Sequence, residues 1–135
     1  MKENDIGTIV VDSAIAVHRA LGPGLLESVY EAVLAKEISQ RGLKAERQVP
    51  VKIEYNGMTF EEGFRADIIV EGKVILELKS VEQVTAAHKK QLQTYLRLGG
   101  CKLGYLLNFG AALMKNGITR AVNGLEESPA EQVKF

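Results

Sequence analysis

A single cysteine, Cys101, in 135 residues rules out an intramolecular disulfide framework and a cysteine-rich zinc site. Net charge is absent as well: 17 Lys and Arg stand against 17 Asp and Glu. No global positive field announces a nucleic-acid binder, so any such binding must use a local patch. Long hydrophobic runs are also missing. The most apolar early stretch, IVVDSAIAV, follows Lys2, Glu3 and Asp5 and is interrupted by Asp12. It is too short and broken to span a bilayer and has no secretory-signal build. A cytoplasmic protein with no membrane partner is expected. There is no internal repeat and no low-complexity linker. What remains is 46% hydrophobic and 25% charged, the composition of a globular chain of single-domain size.

Hydrophobic spacing predicts the elements. In DIGTIVVDSAIAVHRALG, Ile6, Ile9, Val10, Val17 and Leu21 recur at helical intervals, with Asp5 as the expected cap and Gly22-Pro23-Gly24 as the stop. LLESVYEAVLAKEISQRG predicts a second helix with a stripe of Leu26, Val29, Tyr30, Val33, Leu34 and Ile38, ending at Arg41-Gly42. The period then changes. VPVKIEY alternates up to Asn56-Gly57, a hairpin signal, and MTFEEGFRADIIV and KVILELKSV follow as strands. A third helix is expected from about Thr85 to Leu98, carrying Leu92, Tyr95 and Leu96. KLGYLLNF reads as a strand buried on both faces, and GITRAV as an edge strand. The expected fold is α/β (α+β), a central mixed sheet flanked by helices. Residues 1–123 form the domain, and 124–135, which include Pro129, form a loosely packed polar tail.

The stretch RADIIVEGKVILELKS carries the chemistry. Ile68 and Val70 share one strand face, and Val74, Leu76 and Leu78 share one on the next. For these apolar faces to coincide, Ile68 must pair with Leu76 and Val70 with Val74, leaving Glu71-Gly72-Lys73 as the loop. Asp67 then falls opposite Glu77, and Lys79 lies on the same face. Two carboxylates so close repel. A divalent cation resolves the conflict, since hard oxygen ligands suit Mg²⁺ or Mn²⁺. Lys79 can position a water beside the metal.

At these residues the chain resembles the PD-(D/E)XK nuclease superfamily, with a restriction-endonuclease-like core. Asp67 matches the motif aspartate and Glu77-Leu78-Lys79 matches ExK, while Arg65-Ala66-Asp67 departs from the Pro-Asp dipeptide. Gln91 through Tyr95 fits the QxxxY pattern of the RecB-like branch. Gly24-Leu25-Leu26-Glu27-Ser28-Val29-Tyr30 reads GxxExxY, which names a family of small proteins in the same superfamily. The resemblance runs from about Ile6 to Val122. It implies that Glu27 joins Asp67 and Glu77 in holding the metal, with the Leu78 carbonyl as a further ligand, and that Gln91 fixes the nucleophile or a phosphate oxygen. Read without the resemblance, Glu27 is a favourable charge in a first helical turn.

The supporting candidates are Tyr95, which shares a helix face with Gln91, Tyr30, expected to pack in the core with its hydroxyl bonded inward, and His88, seven residues before Tyr95. His18 is a weaker candidate, and Cys101 reads as a small buried hydrophobe. Lys89, Lys90, Arg97 and Lys102 can form the local basic patch. The expected function is metal-dependent hydrolysis of nucleic-acid phosphodiesters, DNA or RNA, and a homodimer would supply the surface a small domain lacks. Two other readings stand beside it. One is a non-catalytic module binding nucleic acid or protein, and the other is a hydrolase of nucleotides or small phosphoesters.

Overall fold

In the computed structural model, which describes residues 1–128 and 131, five strands form one mixed sheet in chain order. The elements are α1 (Glu3–Leu21), α2 (Glu27–Gln40), β1 (Ala45–Tyr55), β2 (Met58–Val70), β3 (Val74–Lys79), α3 (Ala86–Gly99), β4 (Leu103–Asn108) and β5 (Ile118–Val122), with a 3-10 turn at Met114–Asn116. Neighbouring strands run antiparallel except β3 and β4, which are parallel. A parallel pair needs a crossover, and α3 provides it. The expected α/β class and element order are therefore observed. Among the described residues no helix is long and apolar enough to cross a membrane.

The sheet's side chains fall into two cores, and alternation along β2 is broken at Asp67, with Ala66 in one core and Ile68 in the other. On one face Ile68, Val70, Val74, Leu76, Leu78, Leu103, Tyr105 and Leu107 pack under α1 and α2. On the other, Phe64, Ala66, Ile75 and Leu106 meet Leu92 and Leu96 of α3. β4 is buried along its whole length, as its unbroken apolar run requires. The β2–β3 register is the expected one, Ile68 with Leu76 and Val70 with Val74. Its three-residue loop is turned by Glu71 and Gly72, both at positive φ. Only the last three residues of β2 pair with β3, so the rest of β1–β2 continues as a two-stranded ribbon whose inner part packs on α3 through Phe64, Ala66 and Val51. Asn56 and Gly57 turn its tip with φ of 47° and 77°, the two left-handed residues such a turn demands.

Three expectations are corrected. Helix α1 begins at Glu3, with Lys2 as the flanking residue; Asp5 lies one turn inside, where its carboxylate accepts from the Lys2 backbone N–H at 3.3 Å. The α2 stripe is narrower than its sequence suggests. Tyr30, Leu34 and Ile38 are buried, whereas Leu26, Val29 and Val33 are exposed, as is Leu21 of α1. One face of α2 meets α1 and the sheet, and the second apolar row has nothing above it among the described residues. The start of the expected tail is not loose: Leu125 packs against the core and Glu127 pairs with Arg120. Pro129, Ala130 and residues 132–135 lie outside the described residues.

The chain leaving β3 is fixed by one side chain. Asn108, buried at the end of β4 and in register with Lys79, accepts from Val81 N–H at 3.1 Å and donates to Val81 C=O at 3.0 Å. Its oxygen also accepts from Gly110 N–H at 3.0 Å. A Cβ at Gly110 would lie 2.2 Å from the Val81 carbonyl oxygen, so only glycine permits this approach. Asn108→Ala leaves three backbone groups without that partner, and chemical denaturation should show a loss on the order of 2 kcal/mol. Wild-type stability in that variant would show that the clamp contributes nothing.

Candidate active site

One row of the sheet lacks its backbone pairing. Arg47 pairs with Ile68 and Val49 with Ala66, but Gln48 and Asp67 between them do not pair. On the other side the β2–β3 ladder stops at Ile68 and Leu76, one residue short of Asp67 and Glu77. Two carboxylates take over. Glu77 Oε2 accepts from the Asp67 backbone N–H at 2.9 Å, and Asp67 Oδ2 accepts from the Leu78 backbone N–H at 2.8 Å. The facing pair expected from the register is thus present, locked by reciprocal bonds that occupy one oxygen of each. The second oxygens have no hydrogen-bond partner among the described residues. Neither is a sealed orphan, because among those residues the buried side-chain atom left unpartnered is Arg120 Nε.

Burial, above all, and then the neighbouring Asp67 charge push the Glu77 carboxyl up to about 8. Burial also raises Asp67, against the opposing pull of the Leu78 N–H and the Lys79 charge. Two buried carboxylates in contact do not both ionise readily. Lys79 follows on the same strand, half-buried, and its charge favours ionisation of both acids.

A pocket of about 130 Å³ opens beside Asp67, lined by Glu27, Ser28, Glu31, Gln48, Asp67 and Leu78. Glu27, the first residue of α2, is brought to Asp67 and its charge helps to raise that carboxyl. Glu31, one helical turn later, went unnoticed in the sequence, although its spacing of four from Glu27 puts it on the same face. Its two oxygens are taken. Oε2 accepts from Arg47 at 2.9 and 3.2 Å, and Oε1 accepts from the Gln48 carboxamide. Glu31 is therefore a saturated, buried carboxylate, while Glu27 is exposed and has no protein partner among the described residues.

The remaining candidates are placed as follows. Tyr95 stacks on Phe64 at 4.0 Å between centroids; partial burial raises its hydroxyl, and the Glu77 and Asp67 charges add to this, so it stands within electrostatic reach of the pair. Gln91 is exposed one turn earlier on α3 and forms no hydrogen bond among the described residues. His88 is used locally: its Nδ1 accepts from the Thr85 N–H, and Thr85 Oγ1 accepts from the His88 N–H, which caps α3. Tyr30 is buried, stacks on Phe109 at 4.5 Å, and donates to the Gly22 carbonyl while accepting from the Leu25 N–H. It holds the turn that presents Glu27. Ser80 reaches the same turn, donating to the Leu25 carbonyl at 2.7 Å. His18 lies with its Nε2 2.7 Å from the Ala111 carbonyl oxygen. Lys89, Lys90, Arg97 and Lys102 are exposed. A larger groove of about 610 Å³ at the end of α1 is lined by Ile15, Arg19, Pro23, Leu113 and Lys115 among others; it contains no carboxylate and supplies no ligands of this kind.

The family model of the PD-(D/E)XK nuclease superfamily matches residues 4–121. The chain belongs to the PD-(D/E)XK nuclease superfamily. No curated protein matches it. The five-strand mixed sheet flanked by three helices is consistent with a PD-(D/E)XK core, and nucleases of this superfamily generally use divalent metal ions. The donor set suits such an ion: two hard carboxylates, each with an oxygen to spare, and a raised Glu77 whose proton a cation can displace. Among the described residues no group of three His, Cys, Asp or Glu side chains is close enough to hold a metal, so the preformed part of the site is the Asp67–Glu77 pair.

The raised Glu77 carboxyl has a thermodynamic signature. Between its ordinary value of 4.5 and about 8 the folded chain binds more protons than the unfolded one, so the metal-free protein loses stability as pH rises across that window. Glu77→Gln keeps an oxygen for the Asp67 N–H and removes the titration. Thermal unfolding in a chelator should show the wild type falling from pH 5 to pH 8 more steeply than Glu77→Gln, by several degrees. Parallel pH profiles would mean that Glu77 is ionised normally.

Proposed function

We propose that the chain is a metal-dependent nuclease that hydrolyses phosphodiester bonds of nucleic acid at Asp67, Glu77 and Lys79, of the RecB-like, GxxExxY type within its superfamily. The observation that carries this reading is the reciprocal bonding of Asp67 and Glu77 with Lys79 next along the same strand face. It buries two carboxyl groups where an apolar pair would stabilise the sheet more. Asp67 and Glu77 would hold Mg²⁺, or Mn²⁺ in its place, with Glu27 and the Leu78 carbonyl as further ligands. When bound, the ion supplies Lewis-acid polarisation of the phosphate and acidifies a water.

The chain's own groups do the rest. Lys79 orients the attacking water and offsets charge on the phosphate. Gln91 reaches down from α3 to a phosphate oxygen, and Tyr95, packed on Phe64, keeps that face of α3 against the pair. Tyr30 and Ser80 fix the turn before Glu27. Lys89, Lys90, Arg97 and Lys102 give a neutral domain the cationic contacts that a polyanion needs. The single domain acts in the cytoplasm, and a homodimer would extend the surface offered to a duplex.

End-labelled single- and double-stranded DNA and RNA, incubated with Mg²⁺ or Mn²⁺, should be cleaved, and a chelator should stop the reaction. Lys79→Ala should lower the rate by about 10²-fold or more, and Glu77→Gln should abolish it. Salt-dependent binding of the same strands with no cleavage would support a binding module instead. Hydrolysis of bis(4-nitrophenyl) phosphate alone would point to small phosphoesters. Cleavage that survives in both variants would contradict the assignment of these residues.

A further inference from the structure

Gln48 has a backbone that its residue type does not favour. Its φ of 50° lies in the left-handed region, uncommon for a non-glycine residue and costly within a strand. It stands in the row of Asp67, between the Arg47–Ile68 and Val49–Ala66 pairs, where the register is kept but β2 changes face, Ala66 lying in the α3 core and Ile68 in the α1–α2 core. No turn is made there, and the chain continues as β1. At this row the Gln48 side chain donates from Nε2 to Glu31 Oε1.

That contact fixes which end of the carboxamide faces where. Glu31 is buried and paired with Arg47 at 2.9 Å, so its carboxylate can only accept and must meet the amide nitrogen. The carboxamide oxygen is left without a hydrogen-bond partner among the described residues. Gln48 lines the small pocket with Asp67, Glu27 and the Leu78 strand. Gln48 is exposed, so its free oxygen faces the open pocket, and a neutral acceptor beside a carboxylate ligand can orient waters around a metal ion.

We propose that Gln48 is a binding residue of the metal site, its carboxamide oxygen accepting a hydrogen bond from a water carried by the divalent cation at Asp67. Glu31 is the positioning residue that holds it. This rests on the reading of Asp67 and Glu77 as cation ligands. Glu31 does not itself coordinate, because both of its oxygens are engaged. A neutral oxygen at this point strengthens the hold on the hydrated ion without adding a fourth negative charge to Glu27, Asp67 and Glu77.

The test is Mn²⁺ binding by isothermal titration calorimetry on the full chain, with folding checked by circular dichroism. Gln48→Leu should weaken Mn²⁺ binding about tenfold. Glu31→Ala should weaken it by a similar factor, and the double variant should lose no more than either single one, because both remove the same contact. Glu31→Gln has a single oxygen for the two donors Arg47 and Gln48 and should fall between wild type and Glu31→Ala. Mn²⁺ affinity unchanged in Gln48→Leu, while Glu77→Gln loses it, overturns the role of Gln48 and leaves the carboxylate site standing. Losses in Gln48→Leu and Glu31→Ala that add in the double variant mean that the two residues act separately, which also overturns the proposal. Wild-type protein that binds no Mn²⁺ overturns both readings.

Discussion

The site depends on one substitution of hydrogen bonds: at the row of Gln48, Asp67 and Glu77, side chains do what the backbone ladder does elsewhere. Asp67 N–H and Leu78 N–H point where the neighbouring strand would ordinarily accept, and each finds a carboxylate oxygen. These bonds keep both backbone donors satisfied, as buried donors must be, while letting β2 part from β3. The same bonds orient the carboxylates face to face and leave one oxygen of each uncommitted.

The rest of the fold can be understood as support for that row. Asn108 fastens the chain just beyond Lys79 to the end of β4. Tyr30 and Ser80 tie down the turn from which α2 starts. Glu31 and Arg47 pin the first turns of α2 to β1. Each of these side chains lies near the end of an element, and each bonds at least one backbone or carboxylate group close to the site. Two apolar layers, one under α1 and α2 and one under α3, hold the sheet between them and keep Glu77 in a poorly solvated position. Burial thus supplies the electrostatic tension that a cation can relieve.

Much of this was legible in the sequence. Alternation of apolar residues along Ile68–Leu78 admits one register, and that register brings Asp67 opposite Glu77 without any structural input. Asn56-Gly57, Gly72 and the Gly22-Pro23-Gly24 turn mark their turns by local chemistry. Periodicity failed on α2 because it counts apolar residues and cannot say which of two adjacent apolar rows will find a neighbour; Leu26, Val29 and Val33 are as hydrophobic as the row that is buried. Glu31 and Gln48 were missed for another reason. A buried glutamate in a helix and a glutamine in a strand carry no pattern of their own, and their relation appears only when α2 is laid against β1.

The central claim is that Asp67 and Glu77 share a buried, proton-holding site that a divalent cation completes. Proton release on Mn²⁺ binding tests it most directly, measured by calorimetry in buffers of different ionisation enthalpy. With Glu77 raised to about 8, binding at pH 7 should expel roughly one proton per ion, and at pH 9.5 almost none. Mn²⁺ binding with no proton release at pH 7 would contradict the account, because the two carboxylates would then already be ionised side by side without the metal.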